Sequence, residues 1–212
     1  MKITNIVALI VIVVSFGIGF YFYPQMPDTV ASHWGSSGQV NGYMSKFWGL
    51  FLMPIISLLI FLLLVFIPKI DPFKENVEKF RKYFDTFIVI IITFFLYIYL
   101  LTIFWNLGIR FDMFLAILPA IAVMFYYAGV LIGKSKRNWF IGIRTPWTLS
   151  SDRVWDKTHR IGGILFKISG LLTILGVFFE SYAIWFMLVP IMFTVFYTTI
   201  YSYIEYKKET SA

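Results

Sequence analysis

Between Asn138 and Gly163 the chain reads NWFIGIRTPWTLSSDRVWDKTHRIGG, a run that holds three tryptophans, one histidine and four arginines or lysines. Indole faces stack on apolar and cationic groups, guanidinium groups hold phosphate or carboxylate, and imidazole donates or accepts a proton near neutral pH. Such a cluster can clamp an anionic or aromatic ligand, or a partner protein. The residues assigned to this site are Asn138, Arg144, Thr145, Pro146, Trp147, Thr148, Trp155, Thr158, His159 and Arg160.

Local sequence sets how these groups are carried. Pro146 biases Thr145 toward an extended backbone, so a helix cannot run comfortably through Arg144–Thr148. Ser150 or Ser151 can then cap a new helix, with Asp152 in the first turn, where negative charge is favoured. At helical spacing Asp152, Arg153, Asp156, Lys157 and Arg160 share one side, and Val154, Trp155, Thr158, His159 and Gly162 share the other. The charged side faces water. The second side must pack against the loop, a neighbouring helix or a ligand.

Composition fixes the surroundings. Of 212 residues, 59% are hydrophobic and 14% charged, with a mean hydropathy of +0.80, too little polar side chain to coat a soluble globule of this size. At about 1.5 Å per residue, six apolar runs are long enough to cross about 30 Å of hydrocarbon. They are Thr4–Tyr23, Phe47–Ile67, Thr86–Ile109, Met113–Gly133, Ile161–Phe179 and Ser181–Ile204. The expected fold is therefore an all-α, six-span protein of the cell membrane with a small β-hairpin-like outer loop. The first run is read as a span rather than a secretory leader, because no small-residue cleavage site follows it closely. Lys2, the basic residues from Lys69 to Lys82, those from Lys134 to Arg160, and Lys207 and Lys208 all fall on one face, leaving Lys46 and Arg110 on the other. Excess Lys and Arg mark the cytoplasmic side. Both termini and the tryptophan-rich loop are thus expected inside, with the bilayer's anionic lipid as the first partner of the basic face. Direct nucleic-acid binding is not expected. Residues 1–110 are read as an N-terminal membrane domain and 111–212 as a second one, with the cytoplasmic loop at 134–160.

On the outer face Thr29–Trp34 and Gln39–Met44 flank Gly35, Ser36, Ser37 and Gly38, the pattern of a short hairpin. An isolated hairpin is marginal in water, so this one must lie against the bundle or the headgroups. Inside, Val77, Phe80 and Phe84 are spaced to share a helical face, which predicts an interfacial extension of the third span. Gly129 and Gly133, four apart, let another helix approach closely.

Catalysis finds little support. The absence of cysteine excludes disulfides, thiolate metal sites and cysteine nucleophiles, and two histidines cannot build a three-histidine zinc site. The topology puts His33 and Asp28 across the bilayer from His159, too far to share one proton transfer. Asp156, three residues before His159, could orient that ring, a spacing equally typical of ordinary helix-surface contacts. No serine elbow or phosphate loop is present. We therefore expect no enzyme activity, no catalytic residue, no metal and no cofactor. Lys167 is the one basic residue within a span, and a transporter or flippase for a lipid-like or peptide substrate is the alternative function it would serve.

Through NWFIGIRTPWTLSSDRVWDKTHRIGG the second half of the chain resembles the SdpI family of six-span membrane proteins. The first half, with Pro24, Pro27, His33, Trp34, Gly35, Gly38, Gly42, Ser45 and Lys46, looks like the uncharacterised membrane domain that often precedes that family's motif. The resemblance implies immunity and signal transduction: protection of a producing cell from its secreted toxin, and tethering of a transcriptional repressor at the membrane. Charge placement then assigns the outer residues His33, Trp34 and Gly35 to the toxin, and the Arg144–Arg160 loop to the cytoplasmic partner.

Overall fold

A computed structural model describes residues 2–35 and 38–211. Ser36 and Ser37, in the predicted hairpin turn, lie outside the described residues. The elements in chain order are α1 (Ile3–Phe22), β1 (Thr29–Trp34), β2 (Val40–Ser45), α2 (Lys46–Ile70), α3 (Lys74–Lys79), α4 (Arg81–Asn106), α5 (Met113–Lys134), α6 (Pro146–Ser150), α7 (Asp152–Leu175) and α8 (Ala183–Thr210). Among the described residues six helices, α1, α2, α4, α5, α7 and α8, are long and apolar enough to cross a membrane. The predicted all-α, multi-pass membrane architecture is what the chain adopts. Lipid-facing positions account for the many exposed apolar side chains, among them Val13, Leu63, Leu171, Val189 and Phe196, since a bilayer leaves no reason to hide them.

The chain packs as two compact units. The first comprises 1–64 and 88–120, the second 65–87 and 121–212. In the first, β1 and β2 pair antiparallel with Thr29 opposite Ser45 and Trp34 opposite Val40. Gly38, at φ +71°, takes a left-handed turn conformation that suits glycine. The hairpin is held to α4 through its end residue: the Asn106 side chain accepts from the Ala31 amide at 2.8 Å and donates to the Ala31 carbonyl at 3.0 Å. Val30, Leu50, Phe51, Tyr99 and Ile103 form the apolar core beneath it.

In the second unit Val77, Phe80 and Phe84 are all buried, as their spacing predicted. The helix is not continuous through them. It breaks at Phe80, which leaves α3 as a separate turn and a half ahead of α4. The crossing of α5 and α7 is set by glycine on both sides. A Cβ on Gly129 would stand 2.6 Å from the Gly163 carbonyl, and one on Gly163 would stand 2.9 Å from the Gly133 Cα. Backbones this close gain dispersion contacts that larger side chains would forbid.

Candidate functional site

The loop between α5 and α7 is built around one amide. Asn138 is fully buried, and its side-chain oxygen accepts from the Phe140 and Ile141 amides at 2.9 and 2.6 Å. Its NH2 donates to the Lys136 and Ile141 carbonyls, both at 2.8 Å. A turn that buries its backbone must satisfy those donors and acceptors internally, and Asn138 does so at four points.

The stretch Arg144–Thr148, expected not to carry helix, holds the start of the short α6: the backbone is extended at Thr145, as Pro146 requires, and turns helical from Pro146 onward. Thr145, extended at φ −108° and ψ 162°, caps α6, and its hydroxyl accepts from the Thr148 amide at 3.1 Å. The Thr148 hydroxyl accepts from the Thr145 amide at 2.9 Å and donates to the Ile143 carbonyl at 2.8 Å. The Thr145 hydroxyl also lies 3.0 Å from the Ser202 hydroxyl of α8. Of the two serines proposed as the cap of α7, Ser151 takes the role, accepting from the Val154 amide at 3.2 Å.

The two sides of α7 separate as the sequence indicated. Val154, Trp155, Thr158, His159 and Gly162 are buried, while Asp152, Arg153, Asp156 and Arg160 are exposed and Lys157 is half-buried. Trp155 and His159 stack with centroids 3.9 Å apart and planes 12° from parallel. The Trp155 indole N–H donates to the Ser135 carbonyl at 3.2 Å.

His159 is occupied at both nitrogens. Nε2 accepts from the Ile143 amide at 2.9 Å, so Nδ1 carries the proton and donates to the Trp155 carbonyl at 2.8 Å. The orienting carboxylate that the Asp156 spacing suggested is not used. Asp156 instead pairs with Lys136 at 3.0 Å, and the ring is oriented by backbone. Gly142 makes this arrangement possible. At φ +121° it adopts a conformation disfavoured for other residues, and a Cβ there would meet His159 Nε2.

The proposed cluster therefore divides. Asn138, Thr145, Thr148, Trp155, Thr158 and His159 lie inside, five of them consumed by the contacts above, and the Thr158 hydroxyl has no hydrogen-bond partner among the described residues. Arg144, Pro146 and Arg160 are exposed, as are Trp139 and Phe140 beside them. Arg144 donates from one guanidinium nitrogen to the Trp139 carbonyl at 2.7 Å. Trp147 is half-buried against Tyr203, with centroids 5.0 Å apart. What remains at the surface is indole, phenyl and guanidinium, over an interior of hydrogen-bonded polar groups.

Three contributors were not named from sequence. Asp71 is buried, accepting from the Phe73 amide at 2.7 Å and from the Trp139 amide at 3.0 Å. The Asn76 side chain donates to the Arg137 carbonyl at 2.9 Å, and Ser202 meets Thr145 as described. Asp71 left a trace in the sequence: a carboxylate directly before Pro72 at the end of an apolar run. Ser202 left none, being one hydroxyl among several on α8. Lys167 is half-buried, its stem running beside Gly129.

On the hairpin, His33, Trp34 and Gly35 line a cavity of about 460 Å³ within the first unit. The His33 ring also contacts the Asn41 side chain. Trp34 meets Trp105 edge-on at 5.5 Å, and the Arg110 guanidinium lies 3.6 Å above the Trp105 ring.

Comparison with known proteins gives three matches. Residues 134–202 match the SdpI/YfhL protein family, and residues 10–58 match a domain of unknown function, DUF1648. The Immunity protein SdpI of Bacillus subtilis (strain 168) is 25% identical over 205 residues, 96% of this chain and 96% of that one. No solved structure matches this one. The segment similar to the SdpI/YfhL protein family, 134–202, begins at the loop organised by Asn138 and runs through α7 into α8, and the segment similar to DUF1648, 10–58, precedes it in the chain.

Proposed function

We propose that this chain is a membrane immunity protein of the SdpI type, whose hairpin side meets a secreted toxin and whose tryptophan-rich loop meets a cytoplasmic regulator such as a transcriptional repressor. The observation that carries the reading is the likeness to the Immunity protein SdpI across nearly the whole of both chains. The division of the loop supports the second half of it. Trp139, Phe140, Arg144 and Arg160 are each exposed, and exposed aromatic and cationic side chains suit an acidic partner. The concentration of lysine and arginine in the loops on that side supports a cytoplasmic position.

The test is survival. Cells sensitive to the toxin of a producing strain should survive its culture supernatant when they express this chain, and no gain in survival would overturn the immunity reading. Trp139→Ala combined with Arg144→Ala should then leave protein level and protection intact while releasing the regulator from the membrane fraction. Retention of the regulator by that variant would remove these side chains from the proposal. Topology is checked by labelling Gln39→Cys and Ser150→Cys with an impermeant thiol reagent on intact cells, which should modify only the first.

A further inference from the structure

We propose that the cavity beneath the hairpin holds one acyl chain of a bilayer phospholipid, with the lipid's ester carbonyl at the hairpin end. The cavity, about 460 Å³, is walled by three helices and roofed by β1. Its walls are apolar: Leu52 and Ile56 of α2, Ile98 of α4 and Ile117 of α5. Each helix contributes residues four apart, so the cleft follows the helix axes rather than crossing them.

Depth along α2 argues for a lipid. Ile56 lies ten residues beyond Lys46, the first residue of α2, and at about 1.5 Å per residue the cleft reaches roughly 15 Å into the bundle. That is about half of a hydrocarbon core of about 30 Å, the depth of one leaflet's acyl chain. Polarity runs the same way. Ser32, His33 and Trp34 sit at the roof, and the Trp34 indole N–H is buried without a hydrogen-bond partner among the described residues. The wall hydroxyl of Thr102 is turned back onto the Ile98 carbonyl at 3.0 Å. A donor at the interface and hydrocarbon below it match an ester-linked chain.

Charge selects among amphiphiles. Among the described residues no Lys, Arg, Asp or Glu lines the cavity, so a free fatty-acid carboxylate would enter without a counter-ion, at a desolvation cost that a neutral ester avoids. The bilayer supplies that ester in excess, so a cleft open at this depth fills by mass action even at modest affinity.

The test uses the full chain in vesicles of phosphatidylcholine carrying a photoactivatable diazirine midway along one acyl chain. Irradiation and peptide mapping should place adducts on Leu52–Ile56 and on Ile117 at several-fold the yield seen at Leu171, an exposed position on α7. Equal or lower yield in the cavity overturns the proposal. Native mass spectrometry of the detergent-washed protein should find one retained phospholipid, lost in Ile56→Trp and kept in the surface control Leu171→Trp. Lipid retained equally by both variants, or by neither the wild type nor the variants, overturns it as well. The adduct map needs no substitution, so a variant that fails to fold leaves a decisive measurement in place.

Discussion

The loop from Asn138 to Ser151 and the hairpin from Thr29 to Ser45 are both polar segments joining apolar helices, and they have been finished in opposite ways. In the loop, Asn138, Thr145, Thr148 and His159 spend their hydrogen-bonding atoms on nearby backbone. At the hairpin, Asn106 fixes one strand, and behind that strand remain a cavity and an indole N–H with no hydrogen-bond partner among the described residues. A satisfied polar interior makes a stiff platform that presents only its surface. An unsatisfied one beside an apolar cleft leaves room for a guest. Residue type alone would have put the ligand at the loop, where tryptophan and arginine are dense.

The comparison breaks most readily at Asn138. Asn138→Ala strands two amides, that of Ile141 buried, and two carbonyls, and should cost about 3 to 5 kcal/mol, seen as a lower thermal midpoint in detergent and new protease cleavage between Lys136 and Arg144. A cost below about 1 kcal/mol would mean the loop is not a platform. Gly142→Ala should cost about 2 to 3 kcal/mol, because it combines the φ of +121° with a collision at His159. The same unfolding measurement reads it, and wild-type stability would show that the Ile143 to His159 bond does not define the loop.

On the other side of the comparison, Asn106→Ala should cost about 1 to 2 kcal/mol and speed hydrogen exchange at the Ala31 amide without altering exchange at Ile141. Exchange rising equally at both would deny that Asn106 acts through the hairpin strand. Arg144→Ala, at the exposed surface, should change stability by less than about 0.5 kcal/mol while weakening capture of an acidic partner in pull-down; a large stability loss would move Arg144 into the platform.

The smallest effect concerns pH. The Lys46 ammonium, 2.9 Å from Asp28, holds that carboxyl below its usual range. A folded value below the unfolded one means the pair stabilises above the unfolded carboxylate value of about 4 and that the stabilisation disappears as pH falls through the lowered folded value. Asp28 is almost fully exposed, so salt should screen the effect. NMR titration of the Asp28 carboxyl should show the depressed midpoint, moving upward in Lys46→Met; an unmoved midpoint would remove Lys46 as the cause.

Much of the frame was legible in the chain. Thr29–Trp34 was placed as a strand to the residue, and the apolar runs located all six long helices. The two sides of α7 followed from a period of 3.6 residues, because each side meets one medium along its length. Less legible was how the site residues are used. Trp155 and His159 stood out as chemistry-bearing types, yet their buried side was equally consistent with a ligand, the loop or another helix. The break at Phe80 was also missed, since the apolar spacing of Val77, Phe80 and Phe84 survives a short interruption of the backbone.

Sequence by itself determined where the polypeptide enters and leaves hydrocarbon, because about twenty apolar residues in a row have no stable place in water and one helix satisfies its own backbone. It also narrowed the start of α7 to Ser150 or Ser151, of which Ser151 is the cap, whereas the short α6 from Pro146 to Ser150 lies in a stretch that read as unsuited to helix. Tertiary structure alone decided which polar groups are spent and which remain. One partner of Asp71 lies 68 residues away at Trp139, one of Thr145 lies 57 away at Ser202, and the cavity under the hairpin joins Ser32 to Ile117. Periodicity tells a side chain which way to face; only the packed chain supplies what it meets there.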